Sequence, residues 1–128
     1  SGSSSPLQPY LLYNLADAQF EAGKIDDAQR TAGRIAAAPG GSDMDKDNRI
    51  KIDYLKARIS AKKGQAADSA RECLMAGKAL LPSTNRETRS AVSQLLDSQL
   101  RQIQDPAVLE DLKAEARKRY PNARDDGK

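Results

Sequence analysis

An all-α fold of three helical hairpins is what this sequence predicts, and three observations carry that expectation. Helix breakers recur at a long, even period: Pro39 in AAAPGG, Pro82 in ALLPST and Pro121 in KRYPNA stand 43 and 39 residues apart. Lesser breaks at Gly23, Gly64 and Asp105-Pro106 fall about halfway between them. Composition is the second observation: 38% of the 128 residues are hydrophobic but only 4% aromatic, Trp is absent and alanine occurs twenty times. A core must then come from helices brought close through small side chains. Third, no segment alternates apolar and polar residues as a half-buried strand does. A chain of this length supports one continuous core and is short for two. A single domain is expected over 7–121, in units 7–40, 46–82 and 84–121, between an N-terminal linker (1–6) and a disordered tail (122–128).

The elements follow in order. LLYNLADAQFEAGKIDDAQ reads as two helical runs hinged at Gly23-Lys24, giving helices over 7–22 and 25–38. The third helix is expected over 46–63. On it Ile50, Ala57 and Ala61 form one apolar stripe and Ile52, Leu55 and Ile59 another, with Lys51, Arg58 and Lys62 between them on one side and Arg49, Lys56 and Lys63 on the other. Two apolar stripes require two neighbours. The fourth helix, 66–81, carries Ala70, Cys73, Leu74, Gly77 and Leu81 at helical spacing. Thr84 with Glu87 is a capping-box pattern near the start of a fifth helix over 85–104. Asp105 before Pro106 is an N-cap followed by proline at the first helical position, opening a sixth over 106–120 with a stripe of Leu109, Leu112, Ala116 and Tyr120.

Charge is small in total and uneven along the chain. The net value of +3 comes from four basic and seven acidic residues in 1–48, eight and three in 49–82, and nine and eight in 83–128. A local excess flanked by acidic residues, with only five aromatics in the chain, argues against a nucleic-acid partner. The absence of histidine excludes imidazole acid/base catalysis and His metal sites. Cys73 has no disulfide partner, occupies an apolar helical position and reads as a buried structural thiol without a base beside it. In GGSDMDKDN, Asp43, Asp45 and Asp47 alternate as at the start of a calcium loop. Asn48 then replaces the turn glycine and Tyr54 the bidentate glutamate, so the loop reads as a solvated, helix-capping segment. Neither a metal nor a cofactor is expected. No phosphate-cradling Gly-rich motif is present, no apolar run reaches membrane-spanning length and no signal peptide is visible. With SGSSSP at its start and no initiator methionine, the sequence leaves an upstream signal or anchor open.

These residues resemble the tetratricopeptide repeat (TPR) family, which pairs bulky, small and aromatic positions on a first helix with small and bulky positions and a final proline on a second. Leu12, Leu15, Ala16, Phe20, Gly23, Ala28 and Pro39 fit the first unit, and Ala57, Gly64, Ala70, Leu74 and Pro82 the second. Ala32 stands where a bulky residue is usual, the units are longer than the family's, and the third matches in its helix-turn-helix outline and its YPNA ending. The resemblance implies a right-handed α-α superhelix, a solenoid of about three hairpins, with a concave groove lined by one side of each first helix. A shift of 41 residues aligns Ala16 with Ala57, Gly23 with Gly64, Tyr10 with Lys51, Tyr13 with Tyr54, Asp17 with Arg58 and Glu21 with Lys62. Each of the two quartets shares one side of its helix. By resemblance Tyr10, Tyr13, Asp17, Glu21, Lys51, Tyr54, Arg58 and Lys62 are the groove candidates.

The expected role is a non-catalytic protein-protein interaction module that takes a peptide or partner helix in that groove. Tyr13 and Tyr54 are the expected anchors, with Arg58 and Lys62 favouring acidic groups and Asp17 and Glu21 favouring basic ones. The plainer account is a solvated charge stripe in which Asp17 and Glu21 pair with Arg58 and Lys62 across adjacent repeats. Family members that clamp the carboxylate terminus of chaperone tails place Lys and Asn where this chain has Tyr13 and Asp17; Asn14 alone matches, so that use is not expected. The alternative is a docking or regulatory domain of a larger enzyme whose catalytic part lies elsewhere. The ending RKRYPNA resembles helical-repeat proteins of the bacterial envelope, which points to the periplasm. Arg117, Lys118 and Arg119 give the last helix the polar cap that a terminal repeat needs, and the first helix has none.

Overall fold

Six helices account for nearly all of the chain that the computed structural model describes, residues 7 to 35, 37, 38, 46 to 79 and 86 to 119. They are α1 (Leu7–Glu21), α2 (Ile25–Gly33), α3 (Lys46–Lys62), α4 (Ala66–Ala79), α5 (Arg86–Leu100) and α6 (Pro106–Arg119). The protein is all-α, with no strand among the described residues. Pro39, Pro82, Pro121, Thr84, Leu81, Tyr120, Asp43, Asp45 and both termini lie outside them.

Two glycines close the first two hairpins in the same way. Gly23 and Gly64 adopt φ of 85° and 76°, a left-handed conformation that costs a residue with a Cβ dearly. At the first, the Gly23 N–H donates to the Phe20 carbonyl at 3.0 Å and the Lys24 N–H to the Gln19 carbonyl at 2.8 Å. At the second, Gly64 donates to Ala61 at 3.1 Å and Gln65 to Ser60 at 2.9 Å. Both are Schellman ends, which satisfy the last carbonyls of the helix while reversing the chain within three residues.

The crossings are made by alanine. Ala16, Ala28, Ala57 and Ala70 are fully buried, and Ser69, also fully buried, donates its hydroxyl hydrogen to the Ala57 carbonyl at 2.7 Å. A polar bridge repeats in the two units at positions 41 residues apart: Thr31 Oγ1 donates to Gln19 Oε1 at 2.7 Å, and Ser60 Oγ donates to Glu72 Oε1 at 2.8 Å. The hydroxyl sits on the second helix in one unit and on the first helix in the other, yet the bridge between the helices is kept.

Helix α3 is buried on two sides, as its stripes require. Ile52, Leu55 and Ile59 pack against the first hairpin, with Ala16, Ala28, Ala32 and Ile35. Ile50 and Ala57 belong to the larger core with Ala70, Cys73, Leu74 and Ala76 of α4, Val92, Leu96 and Leu100 of α5, and Leu112 and Ala116 of α6. The third unit is built differently. No glycine follows α5; instead the Gln102 and Ile103 N–H groups reach back to the Gln99 and Leu100 carbonyls at 3.0 and 3.3 Å. The connection runs to Asp105, α5 and α6 touch each other little, and both lean on α4.

Two helices end earlier than the sequence suggests. Helix α2 stops at Gly33 rather than at 38, because glycine costs about 1 kcal/mol in a helix interior and the Arg34 and Ile35 N–H groups switch to the carbonyls three residues back, at 3.1 and 3.2 Å. Helix α5 stops at Leu100 rather than 104. Asp105 then caps α6 as expected, its Oδ1 accepting from the Ala107 N–H at 2.9 Å and the Val108 N–H at 3.4 Å.

Two stability predictions follow from the packing. Ala57→Leu overfills a fully buried crossing and is expected to cost roughly 1–3 kcal/mol in a urea titration. An unchanged midpoint would show that this crossing does not set the helix spacing. Burial, more than the Ser60 hydrogen bond opposes it, raises the pKa of the Glu72 carboxyl above its ordinary value. The folded chain therefore holds this proton more tightly than the unfolded chain, and stability falls as pH rises through and above the ordinary glutamate range. Glu72→Gln keeps an acceptor for Ser60 and removes the charge; it is expected to raise the melting temperature at pH 7 and to change it little near pH 4. Equal shifts at both pH values would remove the charge from the account.

Candidate interaction site

The candidate surface forms where α1 lies against α3. Asp17 and Arg58, equivalent positions of the two units, meet across it: Arg58 Nη2 stands 3.4 Å from Asp17 Oδ1, and Nη1 stands 3.8 Å from Glu21 Oε2. The guanidinium also lies between two rings, 4.9 Å from the Phe20 centroid and 5.1 Å from that of Tyr54. Planar, weakly hydrated guanidinium suits this position, since it stacks on ring faces while its edge meets carboxylates. Its Nε is buried and has no hydrogen-bond partner among the described residues. Tyr13 completes the group. Burial raises the pKa of its phenol, the Asp17 charge adds to that rise and Arg58 opposes it.

The expected residues thus separate into two sets. Tyr13, Asp17, Glu21, Tyr54 and Arg58 come together around the guanidinium. Tyr10 instead packs against Ile35 and Ile52. Lys51 and Lys62 are exposed on α3 and make no ion pair among the described residues. The pairing of Asp17 and Glu21 with Arg58 is the cross-repeat neutralisation that the plainer account anticipates, whereas Lys62 takes no part in it. Tyr13 and Tyr54 are partly buried and pack against the cores on either side, so each is a structural residue as well as a surface one. Phe20 lies outside the groove set expected from the sequence; its place three residues after Asp17, on the same side of α1, is the signal that points to it.

Elsewhere, Lys63 bridges back to the first hairpin, its Nζ 2.8 Å from Asp26 Oδ1 and 2.7 Å from Gln29 Oε1. The thiol of Cys73 is buried, as its helical position predicts, and burial pushes its pKa up to about 12, so it stays protonated at neutral pH. Among the described residues no cluster of acidic or cysteine side chains is placed to hold a metal ion. No helix among them is long and apolar enough to cross a membrane. The open third unit leaves a cleft of about 320 Å³ between α5 and α6, lined by Asp97, Leu100, Arg101, Leu109 and Lys113. Compared with protein-family models, curated proteins and solved structures, the chain has no match.

Removing the guanidinium tests its part in joining the two units. Arg58→Ala is expected to cost roughly 1–2 kcal/mol through the lost ring contacts and stem packing. Arg58→Lys should recover only part of this, because a compact ammonium does not lie flat between two rings. A lysine variant with the wild-type denaturation midpoint would show that the planar group is unimportant.

Proposed function

We propose that the chain is a non-catalytic protein-interaction module, a TPR-like right-handed solenoid whose first helices offer a groove to an extended peptide or a partner helix. The observation that carries this reading is the surface shared by α1 and α3, where partly buried Tyr13 and Tyr54 adjoin charged side chains of both units. Phenol rings on a polar face supply rigid contact area with a hydrogen-bonding tip, the kind of residue that anchors interfaces.

Electrostatics narrows the ligand. Arg58 is already engaged by Asp17 and Glu21, so its charge is largely spent within the protein. Lys51 and Lys62 are the cations this surface leaves to a partner. They stand eleven residues apart on α3, roughly 16 Å along the helix axis. A segment with acidic residues near that separation and an apolar or aromatic residue between them, above Tyr54, has matching chemistry. Exposed charge pairs of this kind set encounter rate and specificity more than affinity.

Selection of displayed peptides against the domain is expected to enrich such acidic segments. Lys51→Glu combined with Lys62→Glu should weaken the selected peptides at least about tenfold, with circular dichroism unchanged. Arg117→Glu combined with Lys118→Glu on α6 is the control and should leave binding intact. Lys63 is unsuitable for that purpose because Asp26 and Gln29 hold it. Binding that tolerates the α3 reversals and is lost with the α6 pair would move the working surface away from the first helices.

A further inference from the structure

Leu11, Leu15 and Ala18 of α1, with Ala22 just past its end, recur at steps of four, three and four, so they share one side, away from Tyr13 and Asp17. All four are exposed; Leu11 retains 64% of its accessible surface and Leu15 46%. Ala22 continues the helical geometry, its N–H donating to the Ala18 carbonyl at 3.0 Å. Isolated exposed leucines are ordinary, but an ordered seam is not. The 41-residue shift identifies it. Leu11 and Ala18 map onto Ile52 and Ile59, which are 8% and 1% exposed and seat the preceding hairpin on α3. Leu15 and Ala22 map onto Lys56 and Lys63, which make that face of α3 polar at its margin. Helix α1 therefore carries the helix-receiving face of a unit, with an apolar margin in place of a charged one.

We propose that a second copy of this chain covers this face, α1 packing antiparallel on α1 about a two-fold axis. The argument for a copy is self-complementarity. With the axis midway along the seam, Leu11 of each copy meets Ala22 of the other and Leu15 meets Ala18. Every large side chain then faces a small one, and each contact occurs twice, as an isologous interface requires. No charged residue belongs to the seam, so the copies do not repel there. Its spacing is that of the apolar positions of a short coiled coil. Four side chains per copy, two of them alanine, fall short of the ~800 Å² per partner of a standard interface, so the dimer is a weak one. The surface is independent of the groove and leaves it open.

Sedimentation velocity on the whole chain, from tens of micromolar to about 1 mM, is expected to show monomer–dimer exchange. Leu15→Lys should abolish the dimer at every concentration with circular dichroism unchanged. Ala18→Leu separates a fitted seam from a merely sticky patch: it weakens the dimer if Leu15 needs a small residue opposite, and strengthens association if apolar area alone drives it. Mixed Leu15→Cys and Ala18→Cys chains should cross-link to each other in preference to their own kind. The proposal is overturned by a monomer across the whole range, which would leave the face to a helical hairpin other than α1 of a second copy. It is equally overturned by a dimer that survives Leu15→Lys, by stronger association of Ala18→Leu, or by cross-links confined to like variants.

Discussion

The close approach of α3 to its neighbours on two sides is the constraint on which the other features depend. Fully buried Ala57 and Ala70, with the Ser69 hydroxyl bonded to the Ala57 carbonyl, bring α4 against one face. Leu55 and Ile59, almost without exposure, bring the first hairpin against the other. A helix with both faces committed cannot rotate or slide without exposing one apolar stripe, so its charged residues are confined to the strips between. Arg58 lies in one such strip and Lys63 in the other, and each reaches the first hairpin from its own side.

That confinement changes what the charges mean. On an isolated helix Arg58 and Lys62 are equivalent cations one turn apart. Packed against α1, Arg58 is covered by two rings and two carboxylates, while Lys62 stays in water. The carboxylates are themselves substantially exposed, so the pairing contributes little to stability as Coulomb energy. Its larger consequence is to set Asp17, Glu21 and Arg58 against one another at the α1–α3 surface, while Lys51 and Lys62 stay exposed on the same side of α3.

The two ends of the stack differ for local reasons. At the C-terminal end, the connection between α5 and α6 lacks a glycine in the left-handed conformation, so the chain takes a longer path and the helices part around an open cleft. At the N-terminal end, α1 presents leucines where α3 has a buried isoleucine and a lysine, and Ala18 where α3 has a second buried isoleucine. One end is opened by its turn; the other carries on α1 the pattern of a face that is buried on α3.

The sequence by itself determined the features whose causes act within one helical turn or one helix. Gly23 and Gly64 mark the reversals because they alone tolerate the φ required there; Asp105 marks a cap because its carboxylate reaches N–H groups two and three residues on. The two stripes of α3 follow from a period of 3.6 residues, and the buried alanines from a chain too poor in aromatics to fill wide gaps. Even the early stop of α2 had a local sign in Gly33, although Pro39 offered a stronger one further on. Tertiary structure decided the rest. That Arg58 lies between Phe20 and Tyr54, that Tyr13 and Tyr54 serve the core as well as the surface, and that Lys51 and Lys62 are left in water all depend on the distance between helices whose residues are about forty positions apart in the chain. Periodicity specifies which side of a helix a residue occupies, but only the packed alanines specify how near the next helix comes, and a charge is neutralised or left free according to that distance.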